Sequence, residues 1–145
     1  MKVAIINGPN LNMLGLREPG VYGNLSLDSI LADLREKHTD FEILNFQSND
    51  EGALIDAIQN LGMSCEGLII NPGGYSHTSV AIRDAIASIN SPVIEVHISN
   101  IHSREEFRHT TITGGACVAV ISGLGADGYS VALDHLRTLQ RSCDY

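Results

Sequence analysis

Hydrophobic positions along the chain fall in short runs that switch between two periods. Residues 3–6, VAII, are wholly apolar and mostly β-branched, and Asn-Gly-Pro closes the run, as expected of a buried strand. In 26–38, Leu27, Ile30, Leu31 and Leu34 recur on one helical face, with Ser26 placed as an N-cap. Residues 41–47 read as a second strand. A second helix follows over 48–62, where Leu54, Ile58 and Leu61 recur, Asp50 and Glu51 suit the positive end, and Gly62 suits the stop. Residues 67–70 are a third strand and run into the loop NPGGYSHTSV at 71–80. Ile82, Ala85, Ile86 and Ile89 mark a third helix, ended by Asn90-Ser91-Pro92. Strand four is 93–98, a polar segment spans 99–113, and strand five is 116–122. The last helix carries Ala132, Leu136 and Leu139 on one side.

Strand and helix alternate about five times, which demands crossover connections. The expected fold is therefore α/β: a flavodoxin-like, doubly wound, five-stranded parallel sheet with helices on both faces. At 145 residues the chain makes a single domain, 1–145. In such sheets the ligand crevice lies beyond the carboxyl ends of the strands, near the point where strand order reverses. The polar segments beginning at Asn7, Asn71 and Ser99 follow strands one, three and four, so they are expected to converge there. The first of them, NGPNLNMLGLREPGVYG at 7–23, has too much Gly, Pro and Asn for regular structure. It carries Asn10, Asn12, Arg17 and Tyr22, and it reads as a functional loop whose residues 11–23 close over a ligand.

Charge and composition narrow the class. A net charge of −8 with nine basic residues argues against nucleic acid as a partner. No apolar run approaches the ~18 residues of a membrane span, and the first residues lack the features of a signal peptide, so a cytoplasmic protein is expected. Cys65, Cys117 and Cys143 are odd in number and widely spaced, which fits reduced structural thiols. The two lysines, Lys2 and Lys37, sit before a strand and at the polar end of a helix, places ill suited to imine chemistry.

Several constellations could carry chemistry. Glu95 and His97 are two apart on a strand and share a face. A carboxylate beside an imidazole fixes its tautomer and favours the protonated ring, as a general acid requires; a structural ion pair at the strand end is the other reading. Tyr22 is a poor base unless a positive charge such as Arg17 favours its phenolate, and an ordinary surface pair is again the alternative. His77, His97, His102 and His109 lack metal-ligand spacing, so no metal is expected. Arg104 and Arg108, one turn apart if that segment is helical, suit a carboxylate, or else pair with Glu105 and Glu106. GLGADG at 123–128 satisfies G-x-G-x-x-G, but the 17 residues after it are too few for a dinucleotide unit. It reads as a tight turn, and NPGGYSHTSV lacks the Gly-Lys of a phosphate-binding loop.

With those residues assembled, the sequence resembles the type II 3-dehydroquinate dehydratases over nearly its whole length. NGPNLNMLGLREPGVYG, FQSNDEGALID, NPGGYSHTSVAIRDAI and EVHISNIHSREEFR carry the resemblance, in order. It implies dehydration of 3-dehydroquinate to 3-dehydroshikimate on a flavodoxin-like fold, with neither metal nor organic cofactor. It also implies roles: Tyr22 as the base, Arg17 lowering its pKa, Asn10 ordering a water against the enolate oxygen, and His97, oriented by Glu95, as general acid. Asn71, His77, Ile98, Ser99 and Arg108 match substrate contacts, with the backbone of Ile98 and Ser99 receiving the carboxylate; Arg104 belongs to the same motif. Asp84 matches a residue that reaches a neighbouring subunit's site, and the implied assembly is a dodecamer built from trimers. Two departures stand out: Asp50 where the family often has His, and Gly114-Gly115 where it usually has Ser-Pro. Both are expected to affect loop shape or subunit contacts and leave the chemistry alone. A flavodoxin-like module that binds a small carboxylate without turning it over is the competing expectation.

Overall fold

The structure is a computed structural model that describes residues 1–16 and 25–143, with side chains described through 140. Arg17 and Tyr22, together with the second half of the loop expected to close over a ligand, lie outside the described residues.

Five parallel strands form one sheet: β1 (Lys2–Asn7), β2 (Glu42–Gln47), β3 (Gly67–Asn71), β4 (Val93–His97) and β5 (Ala119–Ser122), in the order β2-β1-β3-β4-β5. Among the described residues, α1 (Leu27–Lys37), α2 (Glu51–Ser64) and α3 (Val80–Ala87) lead into β2, β3 and β4, short 3-10 turns join β4 to β5, and α4 (Asp127–Cys143) follows β5. The alternation of side chains along β1 splits the core. Val3 and Ile5 pack with Ile30, Leu34, Leu133 and Leu136 of α1 and α4. Ala4 and Ile6 pack with Leu54, Ile58, Ile82 and Ile86 of α2 and α3. The sheet is thus covered on both faces, which is why β1 and β3 read as continuous apolar runs and why β4 is buried throughout, Glu95 and His97 included.

The helices begin where side chains cap them. Ser26, Asp50 and Ser79 each accept a hydrogen bond from a backbone amide of the first turn, at 3.1, 2.8 and 2.9 Å. Asp50, a departure from the family pattern, is therefore the N-cap of α2.

The structure corrects three boundaries. Gly62 does not end α2, which runs on to Ser64. It is buried within the helix because a Cβ there would stand 2.6 Å from Ile89 Cδ1, so the glycine answers to packing between α2 and the end of α3. α3 stops at Ala87, where the Ser88 amide turns back onto Asp84 and Ala85; Ile89 keeps its apolar contacts from outside the helix. β5 starts at Ala119, three residues later than its apolar pattern suggests, because Gly114–Ala116 close a 3-10 turn first.

Strand order reverses between β1 and β3, and there the two strand ends lie side by side with Asn7 paired to Asn71. The Gly8 amide donates to the Asn71 carbonyl at 2.7 Å, and a Cβ on Gly8 would stand 2.5 Å from the Pro72 carbonyl oxygen. Only glycine lets the two loops leave the sheet that closely.

Candidate active site

A crevice of about 330 Å³ opens at this reversal point, at the small end of the range for small-molecule sites. Its walls come from the segments after β1, β3 and β4, the three expected to converge. Asn10, Asn71, His77, His97, Ile98, Ser99 and Arg108 all line it, and so does Arg104. Glu95 lies behind His97, wholly buried. Asp84 is exposed on α3 and does not line the crevice. Arg17 and Tyr22 fall in the undescribed segment.

Each residue is placed by its local backbone. Asn10 has a left-handed backbone, φ 70°, which Asn tolerates better than most residues, and its amide donates to Asn49 Oδ1 at 2.9 Å. Asn71, at the end of β3, is nearly buried. Its Nδ2 donates to Tyr129 Oη at 3.2 Å and its Oδ1 accepts from the Gly73 amide at 3.1 Å, which leaves the second Nδ2 proton for a ligand. Tyr129 Oη in turn donates to Asn7 Oδ1 at 2.5 Å, so one buried phenol ties α4 to the ends of both strands at the reversal point. Burial pushes the Tyr129 phenol pKa up, and the hydrogen bond from Asn71 offsets part of that.

At the crevice floor, His97 Nε2 and Glu95 Oε2 are 2.8 Å apart. A buried carboxylate needs donors, and two more reach it: Thr111 Oγ1 donates to Oε2 at 2.5 Å and Thr113 Oγ1 donates to Oε1. Since every group facing the carboxylate donates, Nε2 of His97 carries a proton and Nδ1 is the nitrogen left for chemistry. The His77 ring lies nearly parallel to that of His97, with centroids 6.2 Å apart, and its Nδ1 donates to the Thr110 carbonyl at 2.8 Å.

On the β4 side, carbonyls are taken up by the turn that leads into α4. The Gly123 and Gly125 amides donate to the His97 and Ile98 carbonyls at 3.2 and 3.0 Å, and Ser122 Oγ donates to the Ser99 carbonyl at 3.1 Å. GLGADG is thus a turn with positive φ at Gly123 and Gly125, and it anchors the end of β4. Segment 99–113 is not one helix; Ile101–Ser103 and Glu106–Arg108 form separate 3-10 turns. Arg108 Nε still meets Glu105 Oε2 at 2.6 Å, with Arg104 Nε 3.9 Å from the same oxygen. The Glu105 carboxyl is held below its ordinary range by its own backbone amide and then by Arg108. Two guanidinium groups beside one carboxylate leave this wall net positive, which suits an anionic ligand.

Sequence reasoning missed Thr111, Thr113 and Tyr129. The Gly114-Gly115 departure, expected to sit away from the chemistry, does not: a Cβ on Gly114 would stand 3.1 Å from Glu95 Oε2. Among the described residues, no three His, Cys, Asp or Glu side chains group as a metal site, and no helix is long and apolar enough to cross a membrane.

The same chain resembles characterised families along its length. The family model for class II dehydroquinases matches residues 1–137. A 3-dehydroquinate dehydratase from Aliarcobacter butzleri is 52% identical over 135 residues, covering 92% of this chain and 82% of that one. One from Halothermothrix orenii is 47% identical, and the match covers 99% of both. The crystal structure of the type II dehydroquinase from Butyrivibrio crossotus superposes with a TM-score of 0.91 at 48% identity, covering 94% of this chain and 97% of that one. Read with the five-stranded parallel sheet and its crevice, these matches place the chain in the class II dehydroquinase family.

Proposed function

We propose that this protein is a type II 3-dehydroquinate dehydratase, catalysing a step shared by the shikimate pathway and quinate breakdown. The observation that carries the reading is the buried Glu95–His97 pair at the floor of a crevice walled by Asn10, Asn71, His77 and Arg108. Tyr22, its phenolate favoured by Arg17, takes a proton from the carbon next to the ketone. The enolate that forms is met by a water ordered on Asn10. His97, held by Glu95, gives its Nδ1 proton to the departing hydroxyl, which leaves as water from the opposite face. The elimination is anti and stepwise, with no metal and no organic cofactor in it.

Substrate is held by polar groups that the fold already sets in place. The carboxylate meets the backbone amides of Ile98 and Ser99, whose carbonyls are occupied by the β5–α4 turn. Asn71, His77 and Arg108 meet the hydroxyls and the ketone side. Asp84, exposed on α3, reaches a neighbouring subunit's crevice in a dodecamer of trimers in the cytoplasm.

The test pairs turnover with binding. Tyr22→Phe and His97→Ala are each expected to lose at least about a hundredfold in kcat, the scale of a positioned acid or base, while equilibrium dialysis still detects bound 3-dehydroquinate. Full turnover in either variant removes that residue from the mechanism. Binding without turnover in the parent protein favours the carboxylate-binding module instead.

A further inference from the structure

The groups that hold His77 and the Glu95 partner of His97 lie on one short stretch, 110–113, between the turns at Glu106–Arg108 and Gly114–Ala116. Thr110 offers its carbonyl to His77 Nδ1. Thr111 and Thr113 each donate a hydroxyl to Glu95, one to either oxygen. The stretch is itself fastened. The Ile112 and Thr113 amides donate to the Ser76 carbonyl at 2.8 and 3.4 Å, and Arg83 Nη1 donates to the Ile112 carbonyl at 2.9 Å. Its far end packs closely: a Cβ at position 114 would stand 2.7 Å from Val120 Cγ2 and 3.1 Å from the Glu95 carboxylate.

We propose that 110–113 is a positioning strap that sets His97 and His77 together, with the Thr111 and Thr113 hydroxyls orienting the general acid through Glu95. The inference rests on the dehydratase reading for its kinetic consequence and on geometry for its structural one. An ionised carboxylate has only acceptors, and burial leaves it no water to satisfy them. Thr113 meets Oε1, while Thr111 and His97 share Oε2. Removing one hydroxyl leaves a lone pair of a buried anion unmatched, and the carboxylate then turns to compete for the remaining donors. The ring of His97 follows it, because Nε2–H is one of those donors. Thr110 acts likewise on His77: a carbonyl on Nδ1 fixes the proton there and leaves Nε2 to face the crevice as an acceptor. Neither threonine lines the crevice, so their loss reaches the reaction through the imidazole and not through substrate affinity.

Thr113→Val keeps the side chain's shape and removes its hydroxyl. On 3-dehydroquinate we expect kcat to fall about ten- to a hundredfold, the factor for one hydrogen bond to a charged group, with KM within about twofold of the parent. Thr113→Ser is expected to recover most of the rate. Long-range nitrogen NMR of the histidine rings gives a readout independent of turnover: His97 Nε2 protonated in the parent, its resonances shifted in Thr113→Val. Parental kcat with unshifted His97 resonances overturns the strap. A parent protein that does not dehydrate 3-dehydroquinate overturns the dehydratase reading instead, and the ring resonances then decide the strap by themselves. Should Thr113→Val fail to fold, Thr111→Val removes the other hydroxyl and carries the same expectations and the same refutation.

Discussion

Replacing Tyr129 by Phe tests whether the buried phenol holds the strand ends together at the reversal point. The ring is wholly buried among the α1 and α4 contacts of the sheet, and Phe would fill nearly the same space, so the packing loss is small. The polar loss is not. Tyr129 Oη donates to Asn7 Oδ1 and accepts from Asn71 Nδ2, and Asn7 Nδ2 already lacks a partner among the described residues. Each buried polar group left unpaired costs about 1–3 kcal/mol, so two of them give roughly 2–6 kcal/mol. For a domain of this size that lowers the Tm by about 5–20 °C. Urea denaturation at fixed protein concentration reads the change directly, with an unchanged slope showing that the same surface is exposed on unfolding. Asn71 also loses one of the two bonds that aim its amide, so KM for 3-dehydroquinate should rise. A destabilisation under about 0.5 kcal/mol, within the range of an ordinary surface change, would refute the claim that this phenol organises the crevice.

Other outcomes follow from single contacts. The Cys117 thiol is pushed up to about 12, mainly by burial and then by the charge of Glu95. A raised folded pKa contributes stability that is present below the ordinary value of 9.0 and lost as pH rises toward 12; the Tyr129 phenol, raised from 10.0, acts in the same direction. Denaturation midpoints should therefore decline above pH 9, less steeply in Cys117→Ala, and a flat profile to pH 11 would count against both assignments. Gly62→Ala should destabilise despite better helix propensity: overpacking against Ile89 costs about 1–3 kcal/mol against a gain of about 1 kcal/mol, so a raised Tm contradicts it. Asp50→Ala should lower stability by about 1 kcal/mol through the lost cap of α2 and leave kcat alone, since Asp50 does not line the crevice. A large kcat loss there would mean that the capping account is incomplete.

Periodicity was enough to place the strands and helices because the sheet is covered on both faces and every helix has one apolar side. The convergence of three loops followed from the handed geometry of parallel sheets, and Asn10, Asn71 and His97 do share a crevice. What escaped the sequence is long-range. Gly62 looks like a helix stop until Ile89 is brought against it. Thr111 and Thr113 sit 16 and 18 residues from the carboxylate they satisfy, in a segment whose polarity looks like that of any loop. A signal was nonetheless present. Glu95 in an apolar strand requires donors, and the TTIT run supplies three hydroxyls before the next strand. Tyr129 looked like an ordinary helix residue, since its partners, Asn7 and Asn71, are 122 and 58 residues away.

The measurement that bears most directly on the central claim is the ultraviolet absorbance of the purified protein mixed with fresh 3-dehydroquinate, after exhaustive chelator treatment and after incubation with 3-dehydroquinate and borohydride followed by removal of both. The account predicts the steady growth of a conjugated enone carboxylate chromophore, at a rate that neither reagent lowers. Folded protein that binds 3-dehydroquinate yet leaves the absorbance flat would contradict it.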